Sequence, residues 1–80
     1  MNDLMEQKIL DILRKLFESD SIDTSCSQET CPRWDSMNHL NLVLELEDAF
    51  GVSFEPEEIW EMKSYDDIVR LLVKKGIPSA

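Results

Sequence analysis

The side chains best equipped for chemistry gather near the middle of the chain. Asp35, Ser36 and His39 bring a carboxylate, a hydroxyl and an imidazole close together. On a helix Ser36 and His39, three positions apart, share a side, so acyl transfer through a Ser-His-Asp relay is one conceivable chemistry. Its usual frame is missing: there is no strand-turn-helix elbow and, with two glycines in the chain, no glycine-rich oxyanion loop. His39 reads instead as a partly buried histidine on the core side of a helix. Attachment is the other chemistry. A serine at the start of a helix meets unpaired N–H groups and the positive end of the dipole, which favour a phosphate linked through its oxygen. Asp-Ser ahead of a helix also serves the plainer purpose of an N-cap. Cys26 and Cys31 flank four residues. With one histidine in the chain, a closed zinc site lacks a fourth good ligand. No metal site is expected, and both cysteines are read as free thiols in a reducing cytosol.

These residues need elements to position them. Eighty residues suffice for one core, so 1–80 is read as a single domain. Asp3 and Glu6 have capping-box spacing, and Met5, Ile9, Ile12, Leu13, Leu16 and Phe17 fall on one face of a helix ending near Glu18. From Ser19 to Trp34 periodicity fades, giving a loop that is either functional or pinned by Ile22 and Trp34. A second helix is expected from Ser36 to Phe50, stopped by Gly51. Phe54 anchors the next connection, and Pro56 opens a short third helix reaching about Glu61. Ser64 with Asp67 starts the last helix, whose core face is Tyr65, Ile68, Val69, Leu72 and Val73. Lys74 and Lys75 complement its dipole, Gly76 caps it and Pro78 discourages continuation. Trp34 and Trp60 are expected to close the edges of the core. The fold class is all-α: a four-helix bundle of three main helices and one short third helix, with a long loop between the first two.

Charge narrows the partners. The formal net charge is -9, from 8 Lys plus Arg against 17 Asp plus Glu. That excess argues against nucleic acid and against anionic membrane surfaces. No apolar run exceeds three residues, and Met1-Asn2-Asp3 lacks the regions of a signal peptide, so a cytoplasmic protein is expected. From Trp34 to Met62 there are eight acids and no Lys or Arg, so this window holds -8 of the total. Such a one-signed field costs stability by self-repulsion, but it steers a basic partner.

The second helix carries two apolar stripes. Leu42, Val43, Leu46, Ala49 and Phe50 share an arc wide enough for a core face. Met37, Leu40 and Leu44 fall nearly opposite, with Asn41, Glu47 and Asp48 around them. They either pack on the long loop or the short helix, or form an exposed apolar patch rimmed by carboxylates that docks a partner.

From Trp34 to about Ile68 the chain resembles the acyl carrier protein family. The residues that carry this are Asp35-Ser36-Met37, matching the usual Asp-Ser-Leu, and Leu-x-x-x-Leu-Glu-x-x-Phe from Leu42 to Phe50. The acidic segment Pro56-Glu57-Glu58, the closing amphipathic helix, the helix order and the long first loop fit as well, so the resemblance covers essentially the whole domain. It implies a carrier rather than a catalyst. Ser36, flanked by Asp35, matches the serine that receives 4′-phosphopantetheine from coenzyme A through a separate phosphopantetheinyl transferase. The arm's thiol then holds acyl groups as thioesters.

The resemblance also implies docking of basic-surfaced enzymes, among them an acyl-loading ligase or synthase, on the second helix of a monomer. The implied docking residues are Met37, Leu40, Asn41, Leu44, Glu47 and Asp48. Asn38 and Asn41 stand where fatty-acid carriers are often acidic, and Pro32-Arg33-Trp34 replaces the common Leu-Gly-x. Both departures look more like free-standing carriers of specialised pathways than the housekeeping fatty-acid carrier. Fatty-acid, polyketide and other acyl pathways therefore stay open. Peptidyl carriers, an alternative, usually show Gly-Gly-x-Ser where this chain has Arg33-Trp34-Asp35-Ser36. An unmodified acidic helical docking module is the remaining alternative.

Overall fold

Two side-chain caps set where two of the helices begin. Asp35, in extended conformation, accepts the Asn38 backbone N–H on its carboxylate at 2.9 Å. Ser64 Oγ accepts the Asp67 N–H at 3.2 Å. In the computed structural model, which describes residues 4–77, the helices run α1 (Leu4–Phe17), α2 (Ser36–Phe50), α3 (Pro56–Glu61) and α4 (Tyr65–Lys74). Among the described residues there is no strand, only an isolated bridge between Ser27 and Ser64. The all-α fold and its element order are as expected. The Asp3 cap and the Pro78 stop lie outside the described residues.

Left-handed glycines close α2 and α4. Gly51 (φ 65°) lets the Val52 N–H return to the Glu47 carbonyl at 3.2 Å. Gly76 (φ 91°) does the same for the Ile77 N–H and the Leu72 carbonyl at 3.1 Å. Both are the six-to-one closure that a residue with positive φ permits.

The apolar faces meet in one core. Ile9 and Leu13 of α1, Leu42 and Leu46 of α2, and Ile68 and Leu72 of α4 are fully buried, with Met62 from the α3–α4 connection. Each such side chain contributes roughly 1.5–3 kcal/mol by leaving water. Leu10, Cys26, Met62 and Leu71 join the core although the periodicity did not select them. Three expected core positions do not. Ala49 is exposed, because the buried arc of α2 centres on Leu42, Val43 and Leu46. Val73 is exposed because Ile68, Leu71 and Leu72 centre the inward face of α4 one step earlier. Trp60 is 80% exposed. Ile59 and Met62, three apart, define the inward side of the short α3 segment, and Trp60 is turned about 100° from Ile59.

The long loop is pinned rather than loose. Ile22, Cys26 and Trp34 are buried, and the Trp34 ring packs 5.5 Å from that of Phe17. Arg14 Nε donates to the Ile22 carbonyl at 3.0 Å, and the Tyr65 N–H donates to the Cys26 carbonyl at 2.8 Å. The cysteines are not the free thiols expected: Cys26 and Cys31 are joined as a disulfide. Their Cα atoms are 6.1 Å apart, within bridging range. The turn between them, closed by the Cys31 N–H to the Ser27 carbonyl at 2.9 Å, brings them there.

Glu58 joins α3 to the end of α4. Its buried carboxylate accepts the Glu55 N–H at 2.8 Å and meets Lys75 at 2.7 Å and Lys74 at 3.5 Å. The Glu55 N–H foremost, then Lys75, hold its carboxyl down at about 2, against the opposing pull of burial. A carboxyl depressed on folding adds stability above its unfolded value near 4.5, and that stability fades as pH falls toward about 2. Glu58→Gln should therefore melt below the wild type at pH 7, and the gap should close between about pH 4.5 and 2. Thermal melts across that range check this; a gap independent of pH would contradict it.

Candidate functional site

Ser36 is the first residue of α2 and lies exposed, directly after the Asp35 cap. Asp35 spends its carboxylate on the Asn38 N–H, and its carbonyl accepts the His39 N–H at 2.8 Å. Asn38 Nδ2 donates to the Arg33 carbonyl at 2.7 Å, so the loop is tied to the first turn of α2 from both sides. The Ser36 hydroxyl makes no hydrogen bond to the described residues. No acidic residue occupies the first turn of α2, which leaves the positive end of its dipole to the Asp35 cap alone.

His39 is engaged at both ring nitrogens. Trp34 Nε1 donates to Nδ1 at 2.9 Å, and Nε2 lies 2.8 Å from the Ile59 carbonyl. An indole N–H only donates and a carbonyl only accepts, so the contacts assign the neutral ring with its proton on Nε2. The histidine thereby links the loop, the first turns of α2 and the end of α3. It has no nitrogen left for the Ser36 proton, and Asp35 faces the Asn38 amide instead of the imidazole. The three residues that suggested a relay are adjacent but not assembled as one.

The second stripe of α2 is exposed: Met37 is 74%, Leu40 59% and Leu44 63% accessible. Asn41 and Asp48 are exposed beside it, and with Leu16, Leu44 and Glu45 they line a cleft of about 210 Å³ along α1 and α2. Glu47 stands apart. It is half-buried, and its carboxylate accepts the Phe54 N–H at 2.8 Å, supporting the chain after Gly51.

Folding also thins the charge. Lys15 pairs with Glu45 at 3.1 Å, Lys74 and Lys75 reach Glu58, and Arg70 lies 3.9 Å from Glu61. Asp48 and Glu57 keep exposed carboxylates with no such partner among the described residues. No group of three or more His, Cys, Asp or Glu among the described residues is arranged to hold a metal ion. No helix there is long and apolar enough to cross a membrane.

Over 47 residues the chain is 38% identical to an acyl carrier protein homolog of Mycoplasma genitalium, covering 54% of this chain and 56% of the relative. The chain is similar to acyl carrier proteins. This match supports the resemblance of the chain to that family. The chain spans about half the length of that curated relative. No family model matches the chain. No solved structure matches it.

Sequence reasoning missed the tie from Trp34 through His39 to Ile59, because its far partner is a backbone carbonyl that no residue pattern announces. His39→Ala should cost about 2 kcal/mol by leaving a part-buried N–H and a carbonyl unpaired. Trp34→Phe, which keeps the ring and loses the donor, should cost about 1 kcal/mol. Urea unfolding of both variants checks this; a His39→Ala midpoint equal to the wild type's would contradict the tie.

Proposed function

We propose that this chain is a cytoplasmic, monomeric acyl carrier whose Ser36 receives 4′-phosphopantetheine from coenzyme A through a separate phosphopantetheinyl transferase. The observation that carries this is the exposed, unengaged hydroxyl of Ser36 at the first position of α2, immediately after the Asp35 cap. The residues present suit the group. A transferase can reach the hydroxyl, no side chain covers it, and the amide end of α2 favours a phosphate on that oxygen. When bound, the arm supplies a terminal thiol on which acyl groups are held as thioesters.

The chain's own residues do the positioning. Asp35 fixes the first turn, so the Ser36 oxygen points to solvent at the rim of the molecule. His39 and Trp34 hold that turn against α3 and the loop. Met37, Leu40, Asn41, Leu44 and Asp48 offer an apolar strip with polar edges to the transferase, to an acyl-loading ligase or synthase, and to later enzymes with basic surfaces. Glu47 supports this strip from behind through the Phe54 amide. The strip carries less negative charge near Ser36, at Asn38 and Asn41, than further along. That distribution suits enzymes of a specialised acyl pathway, fatty-acid, polyketide or other.

Incubation with coenzyme A and a broad-specificity transferase should add the mass of one phosphopantetheine, and Ser36→Ala should abolish the gain. An unchanged mass, or a gain that survives Ser36→Ala, would overturn the proposal. Leu44→Asp removes an exposed anchor, so its unfolding free energy should stay within about 0.5 kcal/mol of the wild type. The transferase's kcat/KM on this variant should fall roughly tenfold, the cost of losing one good interface contact. Collapse of the Leu44→Asp fold would place Leu44 in the core instead.

A further inference from the structure

The disulfide in the long loop lies at a cavity that the carrier function does not use. A cavity of about 250 Å³ is lined by Cys26 and Cys31, by apolar Phe17 and Ile22, and by polar residues that include Asp23 and Arg33. The two sulfurs differ in access. Cys26 is 3% exposed and is held through its backbone by the Asp23 carbonyl and the Tyr65 N–H. Cys31 is half-buried at the outer end of the turn. In thiol–disulfide exchange the accessible sulfur is attacked and the other leaves as thiolate. Arg33 also lines the cavity, but its guanidinium is already paired with Glu18 at 2.7 Å, so the difference in exposure is what distinguishes the two cysteines.

We propose that Cys31 is a site of reversible S-thiolation by small cysteamine-type thiols. The incoming thiolate attacks Cys31 Sγ, forming a new S–S bond. The Cys26–Cys31 bond breaks, and Cys26 leaves as a thiolate that takes up the proton released by the incoming thiol. One disulfide is exchanged for another, so no external oxidant or reductant is consumed. The cavity accepts the alkyl end of the thiol against Phe17 and Ile22.

Two sources supply this chemistry. One is free pantetheine or coenzyme A in solution. The other, which rests on the proposed attachment at Ser36, is the chain's own arm. Ser36 is five residues from Cys31, and a pantetheine arm is about as long as that stretch of extended peptide.

The test treats the full chain, oxidised and never exposed to reductant, with free pantetheine. Samples are quenched in acid at early times, alkylated and mapped by peptide mass spectrometry, with Ser36→Ala carried in parallel. The expected result in both proteins is pantetheine on Cys31 and the alkyl label on Cys26, with the opposite arrangement at least about tenfold rarer. No adduct, or an adduct chiefly on Cys26, overturns the site. A second arm uses wild type loaded enzymatically at Ser36 and freed of small thiols. A peptide cross-linking Ser36 to Cys31 through the arm is expected there and absent from Ser36→Ala. Free-thiol exchange without that cross-link overturns the arm as a source. Failure to load Ser36 defeats the carrier proposal instead, and the free-thiol arm still decides the site.

Discussion

His39 is held at both ring nitrogens, and the placement of three segments depends on it. The Trp34 indole fixes the end of the long loop, and the Ile59 carbonyl fixes the end of α3. Between them the imidazole anchors the first turn of α2, one helical step from Ser36. A part-buried network of this kind is stable only when each donor meets an acceptor. Here the indole and the carbonyl leave one arrangement of the ring proton. Ser36 then faces outward because its turn is already committed, through Asp35 to the Asn38 amide and through His39 to the core.

The loop and the charge look different once that frame is in place. A stretch from Glu18 to Asp35 with little periodicity is held by Ile22, Cys26 and Trp34, by the Tyr65 amide and by the disulfide. The acidic window from Trp34 to Met62 is partly answered by Lys15, Arg70, Lys74 and Lys75 from α1 and α4. Part of the charge is therefore spent on joining helices, with Glu58 the clearest case, while Asp48 and Glu57 keep theirs for solvent. The face beside Ser36 is more apolar than acidic.

Much of this was legible in the residues, for physical reasons. Ser36–Phe50 and Pro56–Glu61 have the expected bounds because Asp35, Gly51 and Pro56 act locally on the backbone. The two stripes of α2 separated into buried Leu42, Val43 and Leu46 and exposed Met37, Leu40 and Leu44 because helical periodicity is also local. What escaped has two causes. The burial of Met62 and the bond from His39 to the Ile59 carbonyl depend on how segments far apart in sequence meet, and spacing along the chain carries no record of those meetings. The pairing of Cys26 with Cys31 and the bond of Glu47 to the Phe54 amide are local, but they close across turns, where helical periodicity says nothing.

The most direct test is the chemical state of Ser36 in the protein taken from the cells that make it. Intact mass followed by peptide mapping should find the peptide containing Asp35-Ser36-Met37 carrying phosphopantetheine, free or acylated. A native protein whose Ser36 peptide is unmodified throughout, or whose arm sits on another residue, would contradict the proposal that this hydroxyl is the point from which cargo is carried.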